Sequence, residues 1–265
     1  MNQTFINYDL LESFPADSFI AKKPYSWHDF QRLLTPAGFK ALYEDFPPLA
    51  LFERHSGMER VYGQRPHNRY YLAYEQSVYA REQADDNRGT IKHADLPTAW
   101  REFMDELATS ARYQNFIKRL FQVPEFEVRY AWHVGVTHSE VSPHVDGAKK
   151  IGTHIFYFNT SEDWQPEWGG ATLVLGGKQT TAMNPDFADF ANVEEAQIVD
   201  NHSFLFRNGA QSWHGVRALA CPAGRYRRLF NVIFEFPSGP QPRATSRLDA
   251  VKNLFRRRQA APADM

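Results

Sequence analysis

Pro143-His144-Val145-Asp146, matched far downstream by Ser212-Trp213-His214-Gly215-Val216, is the stretch that decides how this chain is read. In a strand, residues i and i+2 emerge on the same face. His144 and Asp146 can therefore reach one point from a strand end while Val145 turns away. His214, carried by a distant strand, supplies a second imidazole. Two histidines and one carboxylate form the facial-triad ligand set, which occupies one side of a metal and leaves the other positions open. These donors suit Fe(II) better than a soft metal. In a chain with ten histidines a His-x-Asp alone carries little weight, so its surroundings have to decide.

Those surroundings are strand-like. Short runs at 126–136, 151–158, 171–175, 195–199, 203–207 and 229–236 are rich in β-branched and aromatic residues and are separated by Gly, Pro, Asn and Asp. Regularly spaced short strands predict a sandwich or barrel. The preceding residues 1–125 read as helix-rich. Ser26-Trp27-His28-Asp29 has the form of a capping box ahead of Phe30, Leu33 and Leu34. Thr35-Pro36 opens a second helix, with Pro at its first position. Residues 97–121 carry Trp100, Phe103, Met104, Leu107, Phe116, Ile117, Leu120 and Phe121 at helical spacing, as one long helix or two short ones. The stretch 54–74 reads as a strand plus loops, and 81–90 as a polar loop. Thr245-Ser246-Arg247-Leu248-Asp249 caps a short terminal helix that ends in Arg256-Arg257-Arg258. The expected organisation is one domain, 1–265. Its helix-rich portion 1–125 packs on a β core at 126–236, and 237–265 forms a linker and C-terminal helix.

Composition excludes several classes of function. A net charge of -1 supplies no basic field for phosphates, so no nucleic-acid partner is expected. The single cysteine, Cys221, rules out a disulfide framework and a thiolate zinc site. The amino terminus lacks the basic start and apolar core of a signal peptide, and no apolar run approaches the roughly 20 residues of a membrane span. A cytoplasmic setting is the expectation.

Further motifs bracket the triplet. Ile155-Phe156-Tyr157-Phe158-Asn159 ends a strand. The stretch Trp164-Gln165-Pro166-Glu167-Trp168-Gly169-Gly170 turns into Ala171-Thr172-Leu173-Val174-Leu175. Arg225-Tyr226-Arg227-Arg228 heads an apolar strand, from which an arginine can pair with a carboxylate in bidentate fashion. Across 126–236 these ordered elements resemble the 2-oxoglutarate- and iron(II)-dependent oxygenases, in particular the prolyl-4-hydroxylase-like branch.

The resemblance implies a mainly β fold, a double-stranded β-helix (a jelly-roll, cupin-like barrel) buttressed by the N-terminal helices. It implies Fe(II) on His144, Asp146 and His214, with 2-oxoglutarate and O2 as cosubstrates. The distal carboxylate of 2-oxoglutarate would meet Arg228, which shares a face with Phe230, Val232 and Phe234. Arg225 is the alternative, and Arg227 reads as a solvated side chain. Tyr157 matches the position whose phenol bonds that carboxylate, and it reads equally as barrel core. His133 and Gly135 fall where the family often has Tyr and Gly. Retention of Asp146 favours hydroxylation over halogenation. The implied reaction is hydroxylation of a peptidyl or free amino-acid-like substrate, or another small molecule, with release of succinate and CO2. Arg65, Arg69 and Tyr71 are weaker candidates for substrate contact. Two other readings compete: a jelly-roll metal-binding or interaction module without turnover, and a zinc hydrolase on the same ligands.

Overall fold

The computed structural model describes residues 4–57, 65, 67–77 and 88–237. The expected terminal helix after 245, and most of the polar loop 81–90, lie outside them. Strands β1 (Trp27–Gln31), β2 (Glu53–His55), β3 (Arg69–Tyr74), β4 (Thr90–Ile91), β5 (Glu127–Gly135), β7 (Lys150–Tyr157), β10 (His202–Arg207) and β12 (Arg227–Glu235) form one eight-stranded sheet. Its order is β1-β10-β7-β12-β5-β3-β2, with β4 beside β3. A four-stranded sheet, β6-β11-β8-β9, combines Val141–His144, His214–Val216, Leu173–Lys178 and Phe190–Glu195. Pairing is antiparallel except between β3 and β4. The two sheets pack face to face as in the expected double-stranded β-helix, without closing into a continuous barrel.

Strand parity divides the core in two. On β12, Phe230, Val232 and Phe234 join Trp132, Phe156 and Leu205 on the face covered by helices. The alternate residue Leu229 joins Tyr157, Phe204 and Phe206 on the face that meets Val174 and Val216 of the smaller sheet. The helical cover consists of α1 (Tyr8–Ser13), α2 (Ala16–Ala21), α3 (Pro36–Glu44), α4 (Thr98–Thr109) and α5 (Ala111–Phe121). Trp100 of α4 anchors it, with its ring about 5 Å from those of Trp132, Phe158 and Phe230 in edge-on contacts. Gly152 on β7 is pinched between β10 and α5: a Cβ there would stand 2.3 Å from the Phe206 carbonyl oxygen of β10 and 2.6 Å from the Phe121 ring of α5. Only glycine fits there. Among the described residues no helix is long and apolar enough to cross a membrane.

Local signals resolve as follows. Thr35 caps α3 by accepting from the Gly38 amide, with Pro36 at the first position. The 97–121 pattern is two helices. Ser110 breaks it with an extended ψ of 107° and caps α5 through the Tyr113 amide. Residues 27–31, expected to be helical behind a capping box, instead form β1 against β10. The short segment gains a full ladder at an otherwise open sheet edge, and tertiary pairing overrides a weak local cap. The strand expected at 195–199 lies earlier, at Phe190–Glu195, because only that register runs alongside β8. The N-terminal portion thus contributes four strands as well as the helices.

Candidate metal centre

His144 ends β6 and His214 opens β11, and the two are direct register partners. Their rings lie 4.2 Å apart between centroids. Asp146 follows β6 by two residues, and its Oδ1 is 3.8 Å from His144 Nε2. One candidate ligand atom from each of the three residues lies within 4.8 Å of the others, and they are the one such group of three among the described residues.

The ring orientations have a common cause. His144 Nδ1 bonds the Ser142 carbonyl at 3.0 Å, and His214 Nδ1 bonds the Ser212 carbonyl at 2.8 Å. A carbonyl only accepts, so Nδ1 carries the proton in both rings and Nε2 keeps its lone pair, the arrangement typical of metal-binding histidines. Burial, reinforced by the neighbouring His214, lowers the His144 pKa to about 3. Burial likewise lowers that of His214. Burial alone would raise the Asp146 carboxyl; Lys150, His214 and His144 outweigh it and hold the group below the ordinary carboxylate range. Lys150 Nζ donates to Asp146 Oδ1 at 2.6 Å. Two neutral imidazoles and one carboxylate are the protonation states a divalent cation requires.

A side-chain network joins the two ligand-bearing loops. Asn208 Nδ2 lies 3.3, 3.2 and 3.0 Å from the carbonyls of Asp146, Gly147 and Lys150. Ser212 Oγ donates to Asn208 Oδ1 at 2.9 Å, and the Ser212 carbonyl is the one that orients His214. Sequence reading missed both Asn208 and Lys150. An Asn-Gly pair ahead of His214 reads only as a turn, so no sequence signal marked the clamp.

The triplet opens onto a cavity of about 580 Å³ between the sheets. Arg227 lines it too, with its side chain buried. Arg227 Nε donates to the Gly170 carbonyl at 2.6 Å, and an Nη lies 3.4 Å from Thr172 Oγ1. Thr172 in turn pairs with the Tyr157 hydroxyl at 2.6 Å. Gly170 has φ +95°, and a Cβ there would meet the Arg227 side chain at 2.9 Å. The Gly-Gly turn is thus a cradle for the guanidinium. Burial lowers the pKa of Arg227, and among the described residues no carboxylate pairs with it.

Arg228, the expected partner of 2-oxoglutarate, points the other way. It forms an ion pair with Asp163 and stacks 4.5 Å from the Tyr43 ring, on the helix side of the sheet. The face shared with Phe230, Val232 and Phe234 is real, but it is the face the helices cover. Arg225 is exposed beside Trp168. Arg227, expected to be solvated, is the buried one. A usable signal was present in Asn231, a polar residue inside an apolar strand that shares parity with Arg227. It lines the cavity together with Leu229 and Ile233. Tyr157 is fully buried behind Arg227, 5.4 Å from the guanidinium carbon. Arg65 is exposed and pairs with Glu140 at 2.9 Å, whereas Arg69, Tyr71 and His133 line the cavity. His154 faces the helices, between the Tyr113 hydroxyl and Ser203 Oγ.

No family model and no curated protein matches this chain. Solved structures do. A prolyl-4-hydroxylase of Pseudomonas putida aligns over 84% of this chain and 97% of its own, with a TM-score of 0.54 at 13% identity. The Trichoplax adhaerens prolyl hydroxylase, solved with a hypoxia-inducible-factor peptide fragment, aligns over 86% and 90%, with a TM-score of 0.52 at 11% identity. SnoK, a non-heme α-ketoglutarate-dependent carbocyclase of nogalamycin biosynthesis, aligns over 85% of each chain, with a TM-score of 0.53 at 13% identity. The fold is therefore the double-stranded β-helix found in 2-oxoglutarate, Fe(II) oxygenases, prolyl-hydroxylase structures among them.

Proposed function

We propose that this chain is an Fe(II)- and 2-oxoglutarate-dependent dioxygenase that hydroxylates an unactivated C–H bond of a small or peptidyl substrate. One observation carries the reading: two Nε2 lone pairs and a carboxylate converge in the same cavity as a buried arginine that no carboxylate among the described residues neutralises. A facial His-Asp-His set fits Fe(II) and leaves positions for a bidentate keto acid and a gas. An isolated buried cation is costly, and the distal carboxylate of 2-oxoglutarate is the anion that completes Arg227.

His144, Asp146 and His214 would hold the metal, and Arg227 the far end of the cosubstrate. When bound, iron with 2-oxoglutarate and O2 supplies an oxidant strong enough to take hydrogen from carbon, releasing succinate and CO2. The protein's own part is placement. The carbonyls of Ser142 and Ser212 fix the imidazoles, Lys150 turns the Asp146 carboxylate, and Gly170 with Thr172 aims the guanidinium. Phe206, Leu229 and Ile233 keep much of the cavity wall apolar, which limits water around the reacting centre. The solved relatives include one with a bound peptide fragment and one carbocyclase, so substrate size does not follow from the fold.

The test is anaerobic loading with Fe(II), followed by O2 and 2-oxoglutarate. Succinate should form in the wild type and fall at least about 100-fold in H144A, D146A and H214A, beyond the 10–100-fold that outer partners of a metal typically contribute. Full turnover in any of the three would remove that residue from the site.

A further inference from the structure

Asn231 interrupts the apolar run of β12, and its side chain lines the cavity. It is only 9% exposed, yet among the described residues its Oδ1 meets no hydrogen-bond partner. The two other asparagines buried to this degree, Asn159 and Asn201, use both ends of the amide. Asn201 accepts from the Leu34 amide and donates to the Leu34 carbonyl. Asn159 donates to Asp163 and to the Tyr226 carbonyl, and accepts from the Arg228 amide. The neighbours of Asn231 explain the difference. Leu229 and Ile233 flank it on the same face of β12, and its register partners are Ile155 on β7 and Ala131 on β5. None of these four side chains can hydrogen-bond. A buried acceptor left without a donor is costly, so this wall is complete only when a donor enters the cavity.

Position narrows the choice of donor. The Phe206 ring lies 4.6 Å from the His214 ring. Phe206, Thr153 and Ile233 form one row across β10, β7 and β12. Asn231 stands one pleat from that row on the way to Arg227, about 7 Å of strand from Ile233 and roughly 14 Å from Arg227. Its amide therefore looks across the cavity between the metal ligands and the guanidinium, from the sheet opposite the two histidines. The oxygens of 2-oxoglutarate only accept, and O2 carries no hydrogen, so neither can serve Oδ1. The cationic Arg227 on the same strand face disfavours an ammonium. An uncharged N–H or O–H is left. A hydroxyl bonds through a single atom, whereas a carboxamide offers a donor and an acceptor side by side, the complement of what an asparagine presents.

We propose that Asn231 is a substrate-recognition residue of this cavity and binds an uncharged carboxamide group, donating to its carbonyl and accepting from its N–H. This rests on the dioxygenase reading only in that the bound molecule is called the substrate. The cavity volume lies within the roughly 300–1,000 Å³ of small-molecule sites.

The experiment measures binding of hexanamide and N-methylhexanamide against the ketones 2-heptanone and 3-octanone, which keep the carbonyl but lack the N–H. Ligand-detected NMR is used on the full-length protein saturated with Zn(II) and 2-oxoglutarate, a pairing that fills the metal and Arg227 positions without turnover. From wild type to N231L, a near-isosteric change, the affinity of at least one amide relative to its ketone should fall about tenfold, the worth of one net hydrogen bond. N231T, which keeps one hydrogen-bonding atom, should lose less. Urea unfolding of N231L should have a midpoint no lower than that of the wild type, because no bond within the protein is lost. Tighter binding of hexanamide marks a free carboxamide and tighter binding of N-methylhexanamide a peptide group; either supports the proposal. Amide-to-ketone ratios that are equal in wild type, N231L and N231T overturn it. So does an N231L midpoint well below that of the wild type, which would make Asn231 a structural residue. If Zn(II) and 2-oxoglutarate fail to bind the wild type, the dioxygenase reading falls, and the same comparison in the unloaded protein still judges Asn231.

Discussion

A His-x-Asp pair binds a metal only if both side chains leave the strand on one side and aim lone pairs at the same point. Here the backbone two residues before each histidine does the aiming. The same parity argument separates the neighbouring arginines. Arg227 is buried in the cavity, whereas Arg228 lies half-buried among Tyr43, Phe46 and Asp163. R227M should raise the 2-oxoglutarate concentration needed for half-maximal succinate release at least 30-fold, the equivalent of the 2 kcal/mol or more lost when one partner of a buried charge pair is removed. R228M should leave it within twofold and instead cost about 1 kcal/mol of unfolding free energy, as partly exposed ion pairs do. His154 makes a prediction of a different kind. Burial lowers its pKa to about 3, while in the unfolded chain it titrates near 6.5. As pH falls below 6.5 the unfolded state takes up a proton that the folded state refuses. The stability it confers is complete above 6.5 and is lost progressively toward pH 3, by up to about 1.4 kcal/mol per pH unit. Urea unfolding of H154Q between pH 6.5 and 4 should show a slope shallower by about one proton. An unchanged slope would mean that His154 is not held neutral.

At the scale of elements, the triplet is a junction of two strands and two loops. β6 and β11 set the histidine pair by direct register, and Asn208 ties the Asp146 loop to the Ser212 turn. N208A should weaken Mn(II) binding about tenfold, within the range for groups that orient ligands, with little change in 2-oxoglutarate affinity once metal is saturating. Isothermal titration in the two orders of addition would separate these effects. Much of this level was legible in the sequence. The His-x-Asp, the distant histidine, the Trp-to-Gly-Gly turn and most strands could be placed because period-two patterning and glycine turns are local signals. Which face of β12 meets the cavity was not legible, because both of its faces are apolar: one packs on helices, the other on a sheet. Residues 27–31 were misread for a related reason. Ser26 to Asp29 matches a capping box, yet the hydrogen bonds on offer along β10 outweigh any local cap. Asn208 was invisible because three of its four partners are backbone carbonyls, which carry no sequence signature.

On the scale of the whole molecule, the large sheet works as a partition. Its outer face, with Trp132, Phe156 and Phe230, packs on Trp100 and the other apolar side chains of the helices. Its inner face carries Arg227, Asn231, His133 and Arg69 into the cavity. The N-terminal strands matter here, since β3 extends the inner wall beyond β5 and brings Arg69 and Tyr71 into it. The most direct test of this arrangement is an anomalous-scattering map at the iron edge, from crystals grown anaerobically with Fe(II) and N-oxalylglycine. The account predicts one iron at bonding distance from His144 Nε2, the Asp146 carboxylate and His214 Nε2, with the distal carboxylate of the inhibitor on Arg227. Iron bound elsewhere, or a carboxylate seated on Arg228 or Arg225, would contradict it.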